Sequence, residues 1–261
     1  MRGIGRGRRW HFTTSFHTRV PDYLHARTRS PREWSWAALR RFHGSGAGTF
    51  CATPSLAREL ASRGFAQVVP WSRGVDLALS HPDAARHGPP GAWESLPRPI
   101  FLHAGRIAVE KNIEAFLGLN LPGSKVMVGD GPQRKALMQR FPAAHFTGGR
   151  DGAALARAYA RADVFVFPSR TDTFGLVLPE ALASGTPAAA CPVTGPLDVI
   201  GGASGGGIAD GRPIGALDGD LRAACLRALG ADRTACRAHG ERYSWAACAR
   251  RFRDSLVPFG G

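Results

Sequence analysis

Two carboxylates separated by seven residues, Asp172 and Glu180, are the first groups in this chain whose types and spacing suggest chemistry. Between them stands Phe174-Gly175-Leu176, where glycine allows the backbone to approach a bound molecule closely. A helix opening at Pro179 would offer free N–H groups to an anion such as a phosphate. Glu180, in its first turn, could accept hydrogen bonds from vicinal hydroxyls, and Asp172 could do so from a second set. A phosphate held between two hydroxyl-bearing rings is the outline of a nucleotide sugar. The plainer alternative is that Glu180 complements the helix dipole while Asp172 sits in a solvated loop. These residues by themselves leave both readings open.

Those side chains need a scaffold, and the flanking sequence describes one. Val164-Phe165-Val166-Phe167 is a short apolar run of the kind buried on both faces of a parallel sheet, and Pro187 to Cys191 is another. Strand, loop, helix and strand in that order place a ligand outside the carboxyl ends of the strands. Upstream, Pro99 to Ala104, Lys125 to Gly129 and His145 to Thr147 read as further strands alternating with helices. Ser30-Pro31-Arg32-Glu33 has capping-box spacing, and Thr53-Pro54 opens a helix. Asp218-Gly219-Asp220 precedes the helical stretch Leu221 to Leu229, where a capping role outweighs a metal-binding one. Ser244 caps a last helix, and Gly201 to Gly207 reads as a flexible connection.

The acid-x7-acid stretch with Phe-Gly-Leu-Val inside is similar to the donor-binding signature of retaining GT-B glycosyltransferases, family 4 (glycosyltransferases group 1). Asp172 stands where many members have glutamate, a departure shared with relatives of sulfoquinovosyl- and mannosyl-transferring lipid glycosyltransferases. Gly105-Arg106-x4-Lys111 resembles the family loop in which arginine and lysine hold the donor diphosphate. Such a role has a physical need behind it, because the leaving diphosphate gains charge as the glycosidic bond breaks. Gly129-Asp130-Gly131-Pro132 resembles the turn beside the nucleotide base, with Gly149 and Arg150 near it. The segment TTSFHTRVPDYLHAR resembles the acceptor side, which makes His17 the histidine near the transferred sugar.

The resemblance implies a GT-B-like α/β protein whose complete C-terminal Rossmann-like domain has a parallel sheet, with a shortened N-terminal Rossmann-like domain. Its boundaries are 1–76 for the partial acceptor-side domain and 77–97 for a linker containing His87-Gly88-Pro89-Pro90-Gly91. The nucleotide-sugar domain is 98–243, and 244–261 is a helix returning to the first domain. Some 75 residues ahead of the crossing are about half of what the first domain of such an architecture needs, so N-terminal truncation is expected. The implied reaction moves a hexose from a nucleoside-diphosphate sugar to a lipid or glycan hydroxyl with retention. Arg106, Lys111, Asp172, Glu180 and His17 would carry it, with Gly105, Asp130, Gly131, Phe174, Gly175 and Leu176 around the donor. Neither a cofactor nor a metal is expected.

Composition narrows the other classes. The chain has 261 residues, 44% of them hydrophobic, and a net charge of +14. Residues 1–50 hold ten arginines against Asp22 and Glu33, residues 51–220 are nearly balanced, and residues 221–261 are again basic. Such a field favours an anionic surface. Without a nucleic-acid module or zinc spacing, a lipid surface is the better partner. Five cysteines with no C-x-x-C pair suit a reducing compartment. No apolar run is long enough to span a bilayer, and MRGIGRGRRW lacks a signal-peptide core. A cytoplasmic protein at the inner face of the plasma membrane is expected. Two rival readings are a truncated remnant that binds nucleotide without turnover and a basic surface-binding protein with a vestigial pocket.

Overall fold

The computed structural model describes residues 12–86, 92–201 and 206–256. The chain divides into two compact units, one running to Ser72 and taking in the segment from Cys248, the other Arg73–Ala247. The basic start at residues 1–11 and the glycine-proline tract 87–91 lie outside the described residues.

In the first unit the elements are β1 (Thr13–Phe16), α1 (Val20–Thr28), α2 (Arg32–His43), β2 (Gly48–Cys51), α3 (Pro54–Ser62) and β3 (Val68–Pro70). The strands form a parallel sheet in the order β1-β2-β3. Its core closes on aromatic rings: Phe16 stacks on Trp36 at 5.9 Å, and Phe65 stands edge-on to both. Thr53 caps α3 by accepting from the Leu56 N–H at 3.2 Å. The capping box expected at Ser30 does not form. Arg29 turns into the left-handed region at φ 56° to end α1, and the Ser30 carbonyl accepts from His25 Nδ1 at 2.9 Å. Ser30 is consumed in closing the first helix, and Pro31 occupies the N-cap of α2 without a side-chain bond.

Ten elements of the second unit alternate strand and helix, beginning with β4 (Ile100–Ala104), α4 (Ile113–Leu117), β5 (Ser124–Val128), α5 (Arg134–Arg140) and β6 (His145–Gly148). They continue with α6 (Gly152–Arg161), β7 (Val164–Phe167), α7 (Val177–Ala183), β8 (Ala188–Ala190) and α8 (Thr194–Ile200). Then come β9 (Gly206–Ala209), β10 (Arg212–Leu217), α9 (Leu221–Ala228), α10 (Arg233–Gly240) and α11 (Trp245–Asp254), the last of which crosses from the second unit into the first. The sheet order is β6-β5-β4-β7-β8-β10-β9, parallel except for β9. From β4 the chain builds outward through β5 to β6, then returns to the other side of β4 with β7. That reversal is the topological switch point, where an open α/β sheet leaves a crevice at its carboxyl edge.

Two stretches depart from the sequence reading. Of the tract Gly201 to Gly207, residues 202–205 lie outside the described ones, and Gly206 and Gly207 open strand β9 instead of a flexible connection. The hairpin to β10 turns on Asp210 and Gly211, at φ 51° and 76°, the two positive angles of a type I′ turn. The stretch 77–97 belongs to the second unit and carries short 3-10 turns at Pro82–Arg86 and Ala92–Ser95. Glu94, only 4% exposed at its side chain, anchors it to Arg157 of α6 at 2.8 Å.

Candidate active site

The loop after β4 and the loop after β7 meet at the switch point and are bonded to each other. Lys111 Nζ donates to both oxygens of Asp172, at 2.7 and 2.8 Å. Beside that pair, Asn112 Nδ2 donates to the Pro168 carbonyl at 3.1 Å, and the Ser169 and Thr171 hydroxyls make longer contacts of 3.4 Å to the Glu110 carbonyl. Asn112 holds φ 53°, a left-handed turn that asparagine tolerates and that starts α4 immediately afterwards. Both ionic side chains are about three-quarters or more shielded, so the pair is stronger than one at an open surface.

The turn after β5 braces the first loop from its other side. Gly105 N–H donates to the Val128 carbonyl and Ile107 N–H to the Asp130 carbonyl, at 2.9 and 2.8 Å. Gly129, at φ 146°, lies so close that a Cβ there would stand 1.9 Å from the Gly105 carbonyl oxygen. Asp130 is exposed and accepts from the Gly131 N–H at 2.7 Å. Arg106 is exposed and makes no hydrogen bond or ion pair among the described residues.

On the other side of the crevice Phe174 is buried, and Gly175 takes φ 74° against the Phe167 ring. Helix α7 starts at Val177, two residues before the proline, with Leu176 at its N-cap and Glu180 in its first turn. The helix is seven residues long. Glu180 is half-buried and accepts from Tyr159 Oη at 3.0 Å. Burial pushes its carboxyl above the ordinary range, and the Tyr159 hydrogen bond opposes that rise.

His103, at the end of β4, is completely buried and held down to about 4, chiefly by desolvation and secondarily by the Lys111 charge, against its bond to the Val166 carbonyl. Its Nδ1 donates to Val166 O at 3.0 Å, while Nε2 has no partner among the described residues. A neutral imidazole here ties β4 to β7 beneath the two loops.

The structure thus brings Gly105, Lys111, Asp172, Phe174, Gly175, Leu176 and Glu180 to one edge of one sheet, with Arg106, Asp130 and Gly131 on the adjoining loops. His17 lies in the first unit, exposed, its ring 6.2 Å from that of Trp71. Asp220 caps α9 through the Arg222 N–H, and Asp218 takes the Asp220 N–H and Arg227. No group of three His, Cys, Asp or Glu among the described residues is arranged to hold a metal ion. Sequence reasoning missed Asn112, His103 and Tyr159. Asn112 follows the loop lysine directly, and Tyr159 is a polar-tipped ring in an alanine-rich helix, which were the available signals.

Residues 98–218 match the family model for glycosyl transferases group 1. The chain carries a glycosyl transferases group 1 domain. It is 38% identical over 168 residues to a GDP-mannose-dependent alpha-mannosyltransferase of Mycobacterium tuberculosis, covering 64% of this chain and 44% of that one. With the sulfoquinovosyl transferase SQD2 of Arabidopsis thaliana it shares 33% over 206 residues, covering 71% and 39%. The chain spans about half or less of the length of these curated relatives. Sucrose-phosphate synthase from Thermosynechococcus elongatus superposes with a TM-score of 0.71 at 26% identity, covering 94% of this chain and 67% of that one. Anabaena HepE, solved with UDP and glucose, superposes at 0.68 and 15% identity, covering 95% and 72%. The chain has the α/β architecture expected of GT-B glycosyltransferases, with sheets that are parallel but for one edge strand.

Proposed function

We propose that this protein transfers a hexose from a nucleoside-diphosphate sugar to a hydroxyl acceptor, with retention at the anomeric carbon. The observation that carries the reading is the Lys111–Asp172 pair between the two loops at the switch point. A cation waits there, held by a carboxylate, in a crevice rimmed by a second cation at Arg106. On this reading the donor diphosphate takes Arg106 and the Lys111 ammonium as partners, and Asp172 turns to the hydroxyls of the transferred sugar. Glu180 accepts from the ribose. As the bond from the anomeric carbon to the phosphate oxygen breaks, its electron pair goes to the diphosphate, whose charge the two cations stabilise, while the acceptor oxygen bonds to the anomeric carbon and its proton passes to the departing phosphate. His17 is the acceptor-side residue of this reading on the resemblance of its segment.

A GDP-linked sugar is the first donor to test, because several relatives above 30% identity are GDP-mannose-dependent. An acceptor at an anionic lipid surface is favoured by the exposed face of α2, where Trp34 and Phe42 are 74% and 61% exposed with Arg41 between them. Titration of the purified chain with GDP, UDP and their hexose conjugates, followed by NMR of the anomeric proton in any product, tests the reading. Binding of one nucleotide and a product of unchanged anomeric configuration is expected. Loss of neither binding nor turnover in Lys111→Met would overturn the role given to the pair.

A further inference from the structure

Tyr159 is a buried ring in α6, 1% exposed, and is fixed at both ends. Its ring stands edge-on to Phe165 of β7 at 5.5 Å, and its carbonyl accepts from the Thr186 hydroxyl at 2.6 Å. The phenol therefore has little freedom to choose a partner, and the one it has is Glu180 Oε2 at 3.0 Å. A carboxylate has two oxygens and several lone pairs, and an unrestrained glutamate samples many rotamers. A glutamate with one oxygen pinned presents the other in a fixed direction.

We propose that Tyr159 is a positioning residue for the nucleotide: by taking up Oε2 of Glu180 it fixes the carboxylate plane and leaves Oε1 as the acceptor for the vicinal ribose hydroxyls of a bound nucleoside diphosphate. This rests on the reading that Glu180 faces the ribose. The same hydrogen bond has a second effect. Burial favours the protonated acid, which offers one donor and loses acceptor capacity, whereas the phenol favours the ionised form that accepts from two hydroxyls. Removing the phenol therefore leaves Glu180 protonated at a higher pH, and ribose recognition fails earlier as pH falls.

The test is calorimetric titration with GDP and 2′-deoxy-GDP, and with the UDP pair, across pH 5 to 8. The wild type, Tyr159→Phe, Glu180→Gln and the double variant are compared, with thermal unfolding run on each. Tyr159→Phe keeps the ring in its pocket, and the expected result is a roughly ten-fold weaker ribonucleotide, from loss of one hydrogen bond to a charged group. The preference for ribo- over deoxyribonucleotide shrinks, and the acid limb of binding moves to higher pH. In the Glu180→Gln background the tyrosine substitution changes none of these. If Glu180→Gln weakens binding while Tyr159→Phe leaves both the ribo/deoxy ratio and the acid limb unchanged, the positioning role is overturned and the ribose reading stands. If Glu180→Gln binds as well as the wild type, or no nucleotide binds, the ribose reading falls and takes this inference with it.

Discussion

Lys111 and Asp172 form a pair whose removal has unequal consequences for fold and for chemistry. Truncating either side chain to alanine leaves a shielded charge without its partner, which costs more than the pair contributes net. Asp172→Asn keeps the shape and still accepts from Lys111, so thermal stability should fall by no more than about 1 kcal/mol while turnover falls by two orders of magnitude or more. Equal activity in Asp172→Asn, measured as product formed per unit of folded protein, would remove Asp172 from the reaction. His103 gives a pH prediction of definite sign. Its folded value lies near 4, below the 6.5 of the free side chain, so the unfolded chain binds the extra proton first. Stability should be complete above about pH 6.5 and decline toward pH 4 by about 3 kcal/mol, following the linkage between pKa and folding. Urea midpoints at pH 7 and 4.5 measure it, and His103→Phe should flatten the slope. His43 and His239, also lowered by burial, add slope of the same sign.

Whole elements answer to caps and close approaches. Asp220 caps α9 and Asp232 caps α10, each by accepting from backbone N–H groups. Asp220→Ala should cost about 1 kcal/mol in a denaturant titration and leave nucleotide binding intact. Gly129 is different in kind, because a methyl group there meets the Gly105 carbonyl oxygen at 1.9 Å. Gly129→Ala should separate the two glycine turns, and soluble protein should be scarce or nucleotide affinity lost. The sequence made the strands of the sheet's centre legible because Val164 to Phe167 is an unbroken apolar run and Ile100 to Ala104 is apolar but for His103, both buried along their whole length. Strands β9 and β10 escaped it: glycines at Gly206, Gly207 and Gly215 and a proline at Pro213 hide the pattern of an edge hairpin. Only the Asp210-Gly211 turn betrayed it. The acids were singled out by their spacing and the loop lysine by the resemblance of its loop, whereas Asn112, His103 and Tyr159 were not singled out. Their roles depend on which strand lies beside which, and no local pattern encodes that.

Charge at the scale of the molecule follows the division into units. The basic first fifty residues belong to the first unit, as do Arg250, Arg251 and Arg253 of the final segment, while residues 73–220, which form most of the second unit, are nearly neutral. Binding to vesicles of acidic phospholipid should weaken steeply as salt rises from 50 to 500 mM, as expected for charges in contact with water. Trp34→Ala and Phe42→Ala should weaken it further without touching nucleotide affinity. Vesicle sedimentation that is indifferent to salt and to both substitutions would sink the lipid-surface reading. No helix among the described residues is long and apolar enough to cross a membrane.

The register that sets Phe101 beside Val164 joins the parallel neighbours most distant along the chain, with α4, β5, α5, β6 and α6 all lying between them. Every other parallel contact in that sheet closes a shorter loop. Local units on each side can assemble early, and because the docking of β7 onto β4 carries the larger loop-closure cost, it is the expected slow event in acquiring the native state. The two loops that clasp Lys111 and Asp172 leave from the ends of those two strands. A molecule that grips both loops therefore acts as a kinetic staple across the last seam to close. Saturating nucleotide should slow unfolding more than it speeds refolding, visible as a shallow shift in one limb of a chevron and a large one in the other.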